Sequence, residues 1–276
     1  MKSKASISVL ITLILCCFFP RFVLAETVLE KIKRTGELNA GLRKDAIPFG
    51  YVNNKGKWTG YSVDLIYLIH KRLEKELNQP IKLNLREGTI DSRFRIVQRG
   101  DVDIMCGATT ITQTRSTRVD FSVPFFMTGA QFLVKLEDAP KFDYNGNLTD
   151  IPIAFLPGTT TQEIIPQIYP LAKWKDIKSR EEGVKKLKQD EVKAVVSDGI
   201  LLLGEIVQQG GSVGDFVLLP SQPITRELYG CSLPQENTEF KKLVNLTILS
   251  PENRILQKEW FSINTGEFPY IIEQKD

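Results

Sequence analysis

Two short runs rich in glycine and threonine are the first residues in this chain whose types and spacing indicate binding chemistry. One extends from Gly107 to Arg115, directly after an apolar strand-like segment, and the other extends from Pro157 to Glu163. Thr112 in the first run is a typical helix N-cap residue. Free backbone N–H groups at a helix start favour an anion. Each run alone is explained by an ordinary capped helix, but the pair predicts two half-sites that close on one carboxylate.

Three side chains next to these runs add charge and hydrogen-bonding groups. Thr110 supplies a hydroxyl, and Arg115 can donate two parallel hydrogen bonds to a carboxylate. Asp198 follows the apolar segment Ala194–Val196, and the carboxyl ends of strands face the ligand crevice of an open α/β sheet. Asp198 could therefore pair with an ammonium group, or it could be the N-cap of a helix that begins at Ile200.

Residues that would build a common enzymatic site are scarce. His70 is the only histidine, it lies within a helix-like segment, and we expect it to be a surface or boundary residue. No Ser–His–Asp or Cys–His arrangement can be assembled around it. The chain has neither of the two common glycine-rich phosphate motifs, and no Cys/His cluster has the spacing of metal ligands. We therefore expect a binding protein without a metal, a cofactor or catalysis.

The elements that must hold these residues alternate between strands and helices, which indicates an α/β protein. The predicted strands are 38–42, 81–85, 102–106, 132–135, 152–155, 194–197 and 228–233. The predicted helices are 62–77, 93–98, 161–168, 182–188, 200–208, 240–249 and 253–261. This order predicts two α/β lobes joined by two crossover strands. Lobe 1 is assigned residues 26–134 and 228–276, and lobe 2 is assigned residues 135–227.

The first 25 residues have the layout of a secretory signal peptide. A basic start precedes the apolar run Val9–Phe19, and small residues around Ala25 suit cleavage. A membrane anchor is the alternative, but this run is shorter than the about 20 residues that a spanning helix needs. Lipid attachment at Cys16 or Cys17 is a further alternative, which the bulky neighbouring side chains disfavour.

Removal of this leader changes the charge and the cysteine content. The sequence has 36 Lys and Arg against 33 Asp and Glu, and three of the basic residues lie in the leader. The mature chain is therefore formally neutral and lacks a basic run, so we expect no nucleic-acid partner. Cys106 and Cys231 are the two cysteines that remain. They form either one disulfide, which an oxidising compartment would favour, or two buried thiols.

The mature chain resembles the solute-binding proteins of family 3, which serve polar amino-acid ABC transporters. The most specific match extends from Thr110 to Phe126 and corresponds to the family pattern T-x-T-x-x-R followed by dFSxPy. Further matches are Gly60–Leu65, Gly100–Ile104, Gly158–Thr160, Val192–Asp198, Tyr229–Cys231 and Lys258–Phe261. The resemblance implies a type II periplasmic-binding-protein fold, with two lobes that close on the ligand by hinge bending.

The resemblance also implies roles for single residues and for partners. In the family, residues that match Arg115, Thr110 and Thr160 hold the α-carboxylate of the amino acid. The residue that matches Asp198 holds its α-ammonium group. The resemblance further implies a periplasmic location, an amino acid as the ligand, a permease of the inner membrane as the partner, and a monomer.

Within the family, the chain looks most like the glutamate/aspartate-binding branch. The run Cys106–Thr110, the second cysteine Cys231 and the segments around Arg43 and Arg93 carry this likeness. In that branch, arginines that match Arg43 and Arg93 hold the side-chain carboxylate of the ligand. A second buried carboxylate needs such extra positive charge, because a buried and unpaired carboxylate is costly. The alternative is that Arg43 is a solvated loop residue and Arg93 a surface residue of a helix.

Three positions depart from that branch. Arg180 falls at or near the position of a lobe-two histidine, Ala108 replaces a frequent serine, and Ala46 is small where many family members carry an aromatic side chain. These departures leave glutamine or a basic amino acid as alternative ligands. A periplasmic cyclohexadienyl dehydratase is the enzymatic alternative, and it would need Glu163 or Asp198 as a general acid. A sensor input domain is a third alternative that would need a separate partner.

Overall fold

The structure is a computed structural model, and it describes residues 26–261 of the 276-residue chain. The predicted signal peptide lies outside the described residues, and so do residues 262–276 of the predicted lobe 1. Within residues 26–261, no helix combines the length and the apolar character that crossing a membrane requires.

Helices and strands alternate along most of the described chain. The helices are α1 (Val28–Thr35), α2 (Tyr61–Leu77), α3 (Arg93–Gln98), α4 (Gln113–Ser116), α5 (Thr160–Ile168), α6 (Arg180–Lys188), α7 (Gly199–Gln208), α8 (Thr238–Ile248) and α9 (Pro251–Phe261). The strands are β1 (Glu37–Leu42), β2 (Asp45–Ala46), β3 (Gly50–Val52), β4 (Trp58–Thr59), β5 (Lys82–Glu87), β6 (Ile104–Cys106), β7 (Asp120–Phe121), β8 (Phe126–Thr128), β9 (Ala130–Lys135), β10 (Pro152–Phe155), β11 (Lys173–Asp176), β12 (Ala194–Asp198), β13 (Phe216–Leu219), β14 (Glu227–Tyr229) and β15 (Ser232–Leu233).

Two five-stranded sheets lie at the centres of the two lobes. The sheet of lobe 1 has the strand order β5-β1-β6-β15-β7, and that of lobe 2 has the order β11-β10-β12-β9-β13. In each sheet, one central strand has a parallel neighbour on both sides, as β1 has in β5 and β6. The strands that return from the other lobe, such as β9, pair antiparallel. This arrangement places the carboxyl ends of β6 and β12, and the helix starts that follow them, at the edges where ligands bind.

The chain passes between the two sheets along β8 and β14, which pair antiparallel with each other. The predicted crossover strands, 132–135 and 228–233, lie close to these positions but differ in detail. Residues 130–135 form β9, a strand of the lobe 2 sheet, whereas the prediction assigned them to lobe 1 up to residue 134. The predicted strand 228–233 is divided into β14 and β15, because the Gly230 N–H donates to Thr109 O (3.1 Å) instead of continuing one ladder.

The other predicted elements occur within two residues of the predicted bounds. Helix α2 shows why: its apolar side chains, such as Ile66 and Ile69, recur at helical spacing and are fully buried. The helix ends where Asn78 adopts a left-handed conformation with φ 49°. The prediction missed α1, which begins with a capping box of Thr27 and Glu30. It also missed the short strands, including β11 and β13, whose residues are mostly half-buried or exposed.

The two lobes touch each other in this structure. Ile200 and Leu201 from the start of α7 in lobe 2 pack into the apolar core of lobe 1. Ile90 from lobe 1 packs against a core cluster of lobe 2. A Cβ atom placed on Gly204 of α7 would lie 2.4 Å from the carbonyl oxygen of Ile47 in lobe 1. The lobes are therefore closed on each other along α7, and a glycine permits the closest approach.

Candidate ligand-binding site

Both predicted helix starts are present, one in each lobe. Thr112 is the N-cap of α4, and its side chain accepts a hydrogen bond from Arg115 N at 3.1 Å. Thr159 is the N-cap of α5, and its side chain accepts from Gln162 N at 3.4 Å. Helix α4 is a single turn, so its position depends on the segment from β6 that precedes it.

Arg115 is buried beside the start of α4. One of its terminal nitrogens donates to the carbonyl oxygen of Thr110 at 3.0 Å. The residue Thr110 is in turn bridged to Tyr229 at the end of β14. Burial lowers the pKa of Arg115, and the carboxylates of Glu163 and Glu227 act in the opposite direction. A guanidinium group in this position has lost much of its water, so an anion that enters the site would be strongly attracted.

The hydroxyl groups at the start of α5 already donate hydrogen bonds within the protein. The Thr160 hydroxyl donates to Glu227 Oε2 at 3.0 Å, and the Thr159 hydroxyl donates to the carbonyl oxygen of Leu156 at 2.8 Å. A hydroxyl has only one proton to donate. In this state the α5 start can therefore offer an anion its backbone N–H groups, but not the Thr160 hydroxyl.

Asp198 occupies the N-cap position of α7 without capping it. Its side chain is 7% exposed, and Oδ2 accepts a hydrogen bond from the hydroxyl of Tyr229. The other oxygen, Oδ1, is buried and has no hydrogen-bond partner among residues 26–261. Burial raises the pKa of Asp198 to about 6, with a contribution from the nearby carboxylate of Glu227. Asp198 is therefore the N-cap of α7 by position but does not cap it with its side chain, and the unsatisfied oxygen suits a cationic partner.

Glu227 is a second buried carboxylate that the sequence analysis missed. It lies in β14, is 2% exposed, and accepts hydrogen bonds from the hydroxyls of Thr160 (3.0 Å) and Thr225 (2.9 Å). A glutamate immediately before the predicted strand that begins at Leu228 was the available signal. Its location was not predictable, because it depends on how β14 crosses between the lobes.

Arg43 is buried at the end of β1, and so the solvated-loop alternative is wrong. Its side chain is 2% exposed and forms a two-pronged ion pair with Asp45. Nε lies 2.6 Å from Oδ1 of Asp45, and Nη2 lies 2.5 Å from Oδ2. Burial raises the pKa of Asp45, but the positive charges of Arg43 and Arg180 outweigh this effect and lower it to about 2.

Arg93 is also buried, although it lies in the first turn of α3. It donates to the carbonyl oxygen of Ile90, and its Nη2 donates across the lobes to the carbonyl oxygen of Gly158 at 3.2 Å. Its Nε is buried without a hydrogen-bond partner in the described part of the chain. Burial lowers the pKa of Arg93 to about 9, with contributions from the charges of Arg43 and Arg115. The surface-helix alternative is therefore wrong for this residue.

Arg180 reaches the same region from lobe 2. It is the first residue of α6, which Ser179 caps, and its Nε donates to Ser197 Oγ at 2.9 Å. Its Nη1 donates to the main-chain oxygen of Asp45 at 3.2 Å and lies 3.8 Å from Oδ2 of the same residue. Burial lowers the pKa of Arg180, and the charge of Asp45 opposes that effect.

The other residues that the sequence analysis named do not belong to this group of charged side chains. Ala108 is half-buried in the segment between β6 and α4 and packs on the core of lobe 1. Cys106 and Cys231 form the disulfide, with Cα atoms 4.3 Å apart. His70 is a boundary residue, as predicted, with 18% of its side chain exposed and Nε2 2.5 Å from Ile81 O. In residues 26–261, no group of three or more His, Cys, Asp and Glu could hold a metal ion.

The charged groups form one electrostatic neighbourhood, and its buried members carry an excess of positive charge. The charge of Arg43 acts on the pKa values of Arg93, Arg115 and Arg180, and the charge of Asp198 acts on those of Arg115 and Arg180. The four buried guanidinium groups of these arginines face two buried carboxylates, those of Asp198 and Glu227, and two exposed carboxylates, those of Asp45 and Glu163. The buried groups alone therefore carry more positive than negative charge, and a ligand carboxylate placed among them would reduce that excess.

The chain is similar to proteins of known class. Residues 38–262 match the family described as bacterial extracellular solute-binding proteins, family 3. The L-glutamate/L-aspartate-binding protein of Pseudomonas aeruginosa is 32% identical over 244 residues, which cover 85% of this chain and 80% of the relative. The glutamate/aspartate import solute-binding protein of Escherichia coli is 29% identical over 242 residues, which cover 86% of this chain and 79% of the relative.

A solved structure supports the fold assignment. The ancestral amino acid-binding protein AncCDT-1, a precursor of cyclohexadienyl dehydratase, superposes with a TM-score of 0.73 at 25% identity. The match covers 86% of this chain and 100% of that one. Together with the two sheets described above, this similarity confirms the predicted fold, an α/β type II periplasmic-binding-protein fold with two lobes.

Proposed function

Because this chain belongs to the bacterial extracellular solute-binding proteins, family 3, we propose that it is the substrate-binding component of an amino-acid ABC importer. We further propose that its ligand is an acidic amino acid, glutamate or aspartate, held between the two lobes. The observation that carries this proposal is the burial of Arg43 and Arg93 beside Arg115, where a surface location would have removed the case for a second carboxylate.

The proposed site has two ends. At the α-group end, formed by Thr110, Arg115 and Asp198, the α-carboxylate would pair with Arg115. The α-ammonium group would donate to the unsatisfied oxygen of Asp198. An ammonium group in that position would supply the partner that a buried carboxylate oxygen otherwise lacks.

The side-chain end is formed by Arg43, Asp45, Arg93 and Arg180. The ligand's side-chain carboxylate would lie against Arg93, whose Nε is unsatisfied among the described residues, and against Arg43. The excess of positive charge among the buried groups of the site favours an anionic amino acid over a neutral one. The names of the Pseudomonas aeruginosa and Escherichia coli relatives, which bind glutamate and aspartate, point to the same ligand class.

The remaining parts of the proposal concern location and partners. We propose that the chain is exported to the periplasm, acts as a monomer without catalysis, and delivers its ligand to a permease of the inner membrane. Thr159, Thr160 and Glu227 would fix the position of the α5 start at the hinge strand, and the α5 backbone N–H groups would contribute to binding the α-carboxylate.

Thermal unfolding of the purified mature chain with each proteinogenic amino acid tests the proposal. A ligand at a hundred times its Kd stabilises the folded state by about 2.7 kcal/mol, which is readily measured. We expect stabilisation by glutamate and aspartate and little by glutamine, arginine or histidine. Calorimetric titration of the positive ligands would give their Kd values. The acidic assignment is wrong if glutamine or a basic amino acid stabilises the protein and glutamate and aspartate do not.

A further inference from the structure

Asp45 sits in the side-chain end of the proposed site, although no motif singled it out. It lies in the two-residue strand β2, one position before Ala46. Its carboxylate accepts from Nε and Nη2 of Arg43 at 2.6 and 2.5 Å and lies 3.8 Å from Nη1 of Arg180. Arg43 belongs to lobe 1 and Arg180 to lobe 2. One carboxylate of the protein thus links cations of both lobes.

In this geometry the Asp45 carboxylate occupies the position on Arg43 that a ligand carboxylate would take. A guanidinium group binds a carboxylate best through two parallel N–H groups, and Arg43 already directs such a pair at Asp45. A carboxylate from an acidic amino acid would have to share Arg43 with Asp45 or displace it.

The Asp45 carboxylate can turn away from the two arginines, because it is much more exposed to solvent than they are. Its side chain is 40% exposed, whereas those of Arg43 and Arg180 are 2% and 6% exposed. If the Asp45 carboxylate turned away, water could solvate it, but the two arginines would be left buried without that counter-ion. The ligand carboxylate would then take the place of the Asp45 carboxylate. The free energy that this exchange requires would weaken the binding of the ligand.

We propose that Asp45 determines specificity by competing with the side-chain carboxylate of the ligand for Arg43 and Arg180. This inference rests on the proposed function, since it assumes that the ligand enters the site between these arginines. Asp45 lowers the affinity for acidic amino acids and leaves that for neutral ones almost unchanged. Asp45 thereby reduces the difference in affinity between glutamate and glutamine.

The test is the substitution Asp45→Asn, which keeps the shape of the side chain and removes its charge. We expect the Kd for glutamate and for aspartate to fall by about tenfold, the change that one charge-assisted contact produces. The Kd for glutamine should change by less than about threefold, because its amide does not compete for the same charge. Calorimetric titration of both proteins with all three amino acids gives these values.

A matched control removes a carboxylate of the same kind elsewhere. Asp150 pairs with Lys173 at 3.0 Å in lobe 2, and Asp150→Asn changes the net charge by the same amount. It should leave all three Kd values unchanged. Asp45→Ser is the second variant, and it should reproduce the gain for acidic ligands even if Asp45→Asn does not fold.

The outcomes separate this inference from the proposed function. If the wild-type protein binds glutamate and neither Asp45 variant binds it more tightly, Asp45 is no competitor and only this inference fails. If the wild-type protein and both variants bind no acidic amino acid, the proposed function and this inference fail together. A variant that gains glutamate binding which the wild-type protein lacks would support the competition and show that Asp45 blocks acidic ligands completely.

Discussion

The two ends of the proposed site differ in how far the protein itself already satisfies their charged groups. At the α-group end, Asp198 keeps one buried oxygen without a hydrogen-bond partner among residues 26–261, so a cation could pair with that oxygen without replacing an existing hydrogen bond to it. At the side-chain end, Asp45 already neutralises Arg43 and approaches Arg180. The first end thus has an unsatisfied carboxylate oxygen, whereas at the second end a carboxylate of the protein already pairs with the arginines.

Because of this difference, the α-group end should determine the affinity for all amino acids, and the side-chain end should determine the selectivity between them. Every amino acid carries the α-ammonium group that Asp198 would receive, so the α-group end contributes to the binding of all of them. Only an acidic side chain competes with Asp45 for Arg43. Changes at the α-group end should therefore weaken binding of every ligand, and changes at the side-chain end should alter the ratio between glutamate and glutamine.

Loss of the Asp198 charge should produce the largest effect. In Asp198→Asn the α-ammonium group would be buried without a counter-charge, which typically costs about 3–5 kcal/mol. We expect glutamate, aspartate and any bound neutral amino acid to lose at least about 100-fold in affinity, as measured by calorimetric titration. Asp150→Asn, which removes an exposed carboxylate that pairs with Lys173 in lobe 2, is the control and should keep wild-type affinity. A loss confined to the acidic ligands would contradict the division of the site into two ends.

Loss of Arg93 should produce a smaller and selective effect. Arg93→Gln removes a buried charge that has no carboxylate partner in the described residues, so its loss should weaken glutamate binding by roughly 10- to 100-fold. Binding of glutamine should change by less than about threefold. Arg95→Gln, an exposed position in the same helix, is the matched control. Equal losses for glutamate and glutamine would place Arg93 at the α-group end, against our assignment.

Acidification should weaken binding through Asp198. Because its pKa is raised to about 6 from the usual 3.8, the carboxylate becomes protonated as the pH falls through about 6, and it then no longer offers a full charge to an ammonium group. We expect the Kd for glutamate to rise by up to about tenfold for each pH unit below that value. Titrations between pH of about 7.5 and about 5 measure this slope. It should be absent in Asp198→Asn for any ligand that still binds.

The same shift has the opposite sign for the stability of the ligand-free protein. A raised carboxyl pKa means that the folded chain binds more protons than the unfolded chain between pH 3.8 and about 6. The contribution of Asp198 therefore favours folding below this window and is lost as the pH rises through it. Asp45, whose pKa is lowered to about 2, acts only at lower pH, but burial also raises the pKa values of Glu205 and Asp64. The contribution of Asp198 is therefore measured as the difference in urea unfolding between the wild-type protein and Asp198→Asn from about pH 5 to about pH 7.

The α-group end was largely predictable from the sequence, and the side-chain end was predictable only in part. Thr112 and Thr159 cap helices because their hydroxyls bond backbone N–H groups a few residues away, an interaction that is local in the sequence. Asp198 follows a buried strand, and that pattern also fixes its position at the edge of the lobe 2 sheet.

The ion pairs of the side-chain end depend on contacts between distant parts of the chain. Arg180 meets Asp45 only because the lobes close, and the two residues lie 135 positions apart. Glu227 meets Thr160 only because β14 crosses between the lobes. Neither contact has a local signal, so the sequence identified the arginines without identifying the carboxylates that oppose them. The crossover strands were misplaced for the same reason, since Gly230 bonds to Thr109 and not along one continuous ladder.

Restriction of lobe closure should produce the smallest effect and should act on both ends alike. A Cβ atom at Gly204 would lie 2.4 Å from the carbonyl oxygen of Ile47, so Gly204→Ala must shift α7 away from lobe 1. We expect the Kd for every ligand to rise by roughly three- to tenfold with the glutamate-to-glutamine ratio unchanged, because closure brings Arg180 and Asp198 to the ligand together. Gly210→Ala, beyond the end of α7 where a Cβ meets no atom within 4 Å, is a control for space, although its positive φ of 65° makes some loss of stability expected. If Gly204→Ala weakened glutamate alone, closure would serve the side-chain end only, and the α-group end would have to bind its ligand before the lobes meet.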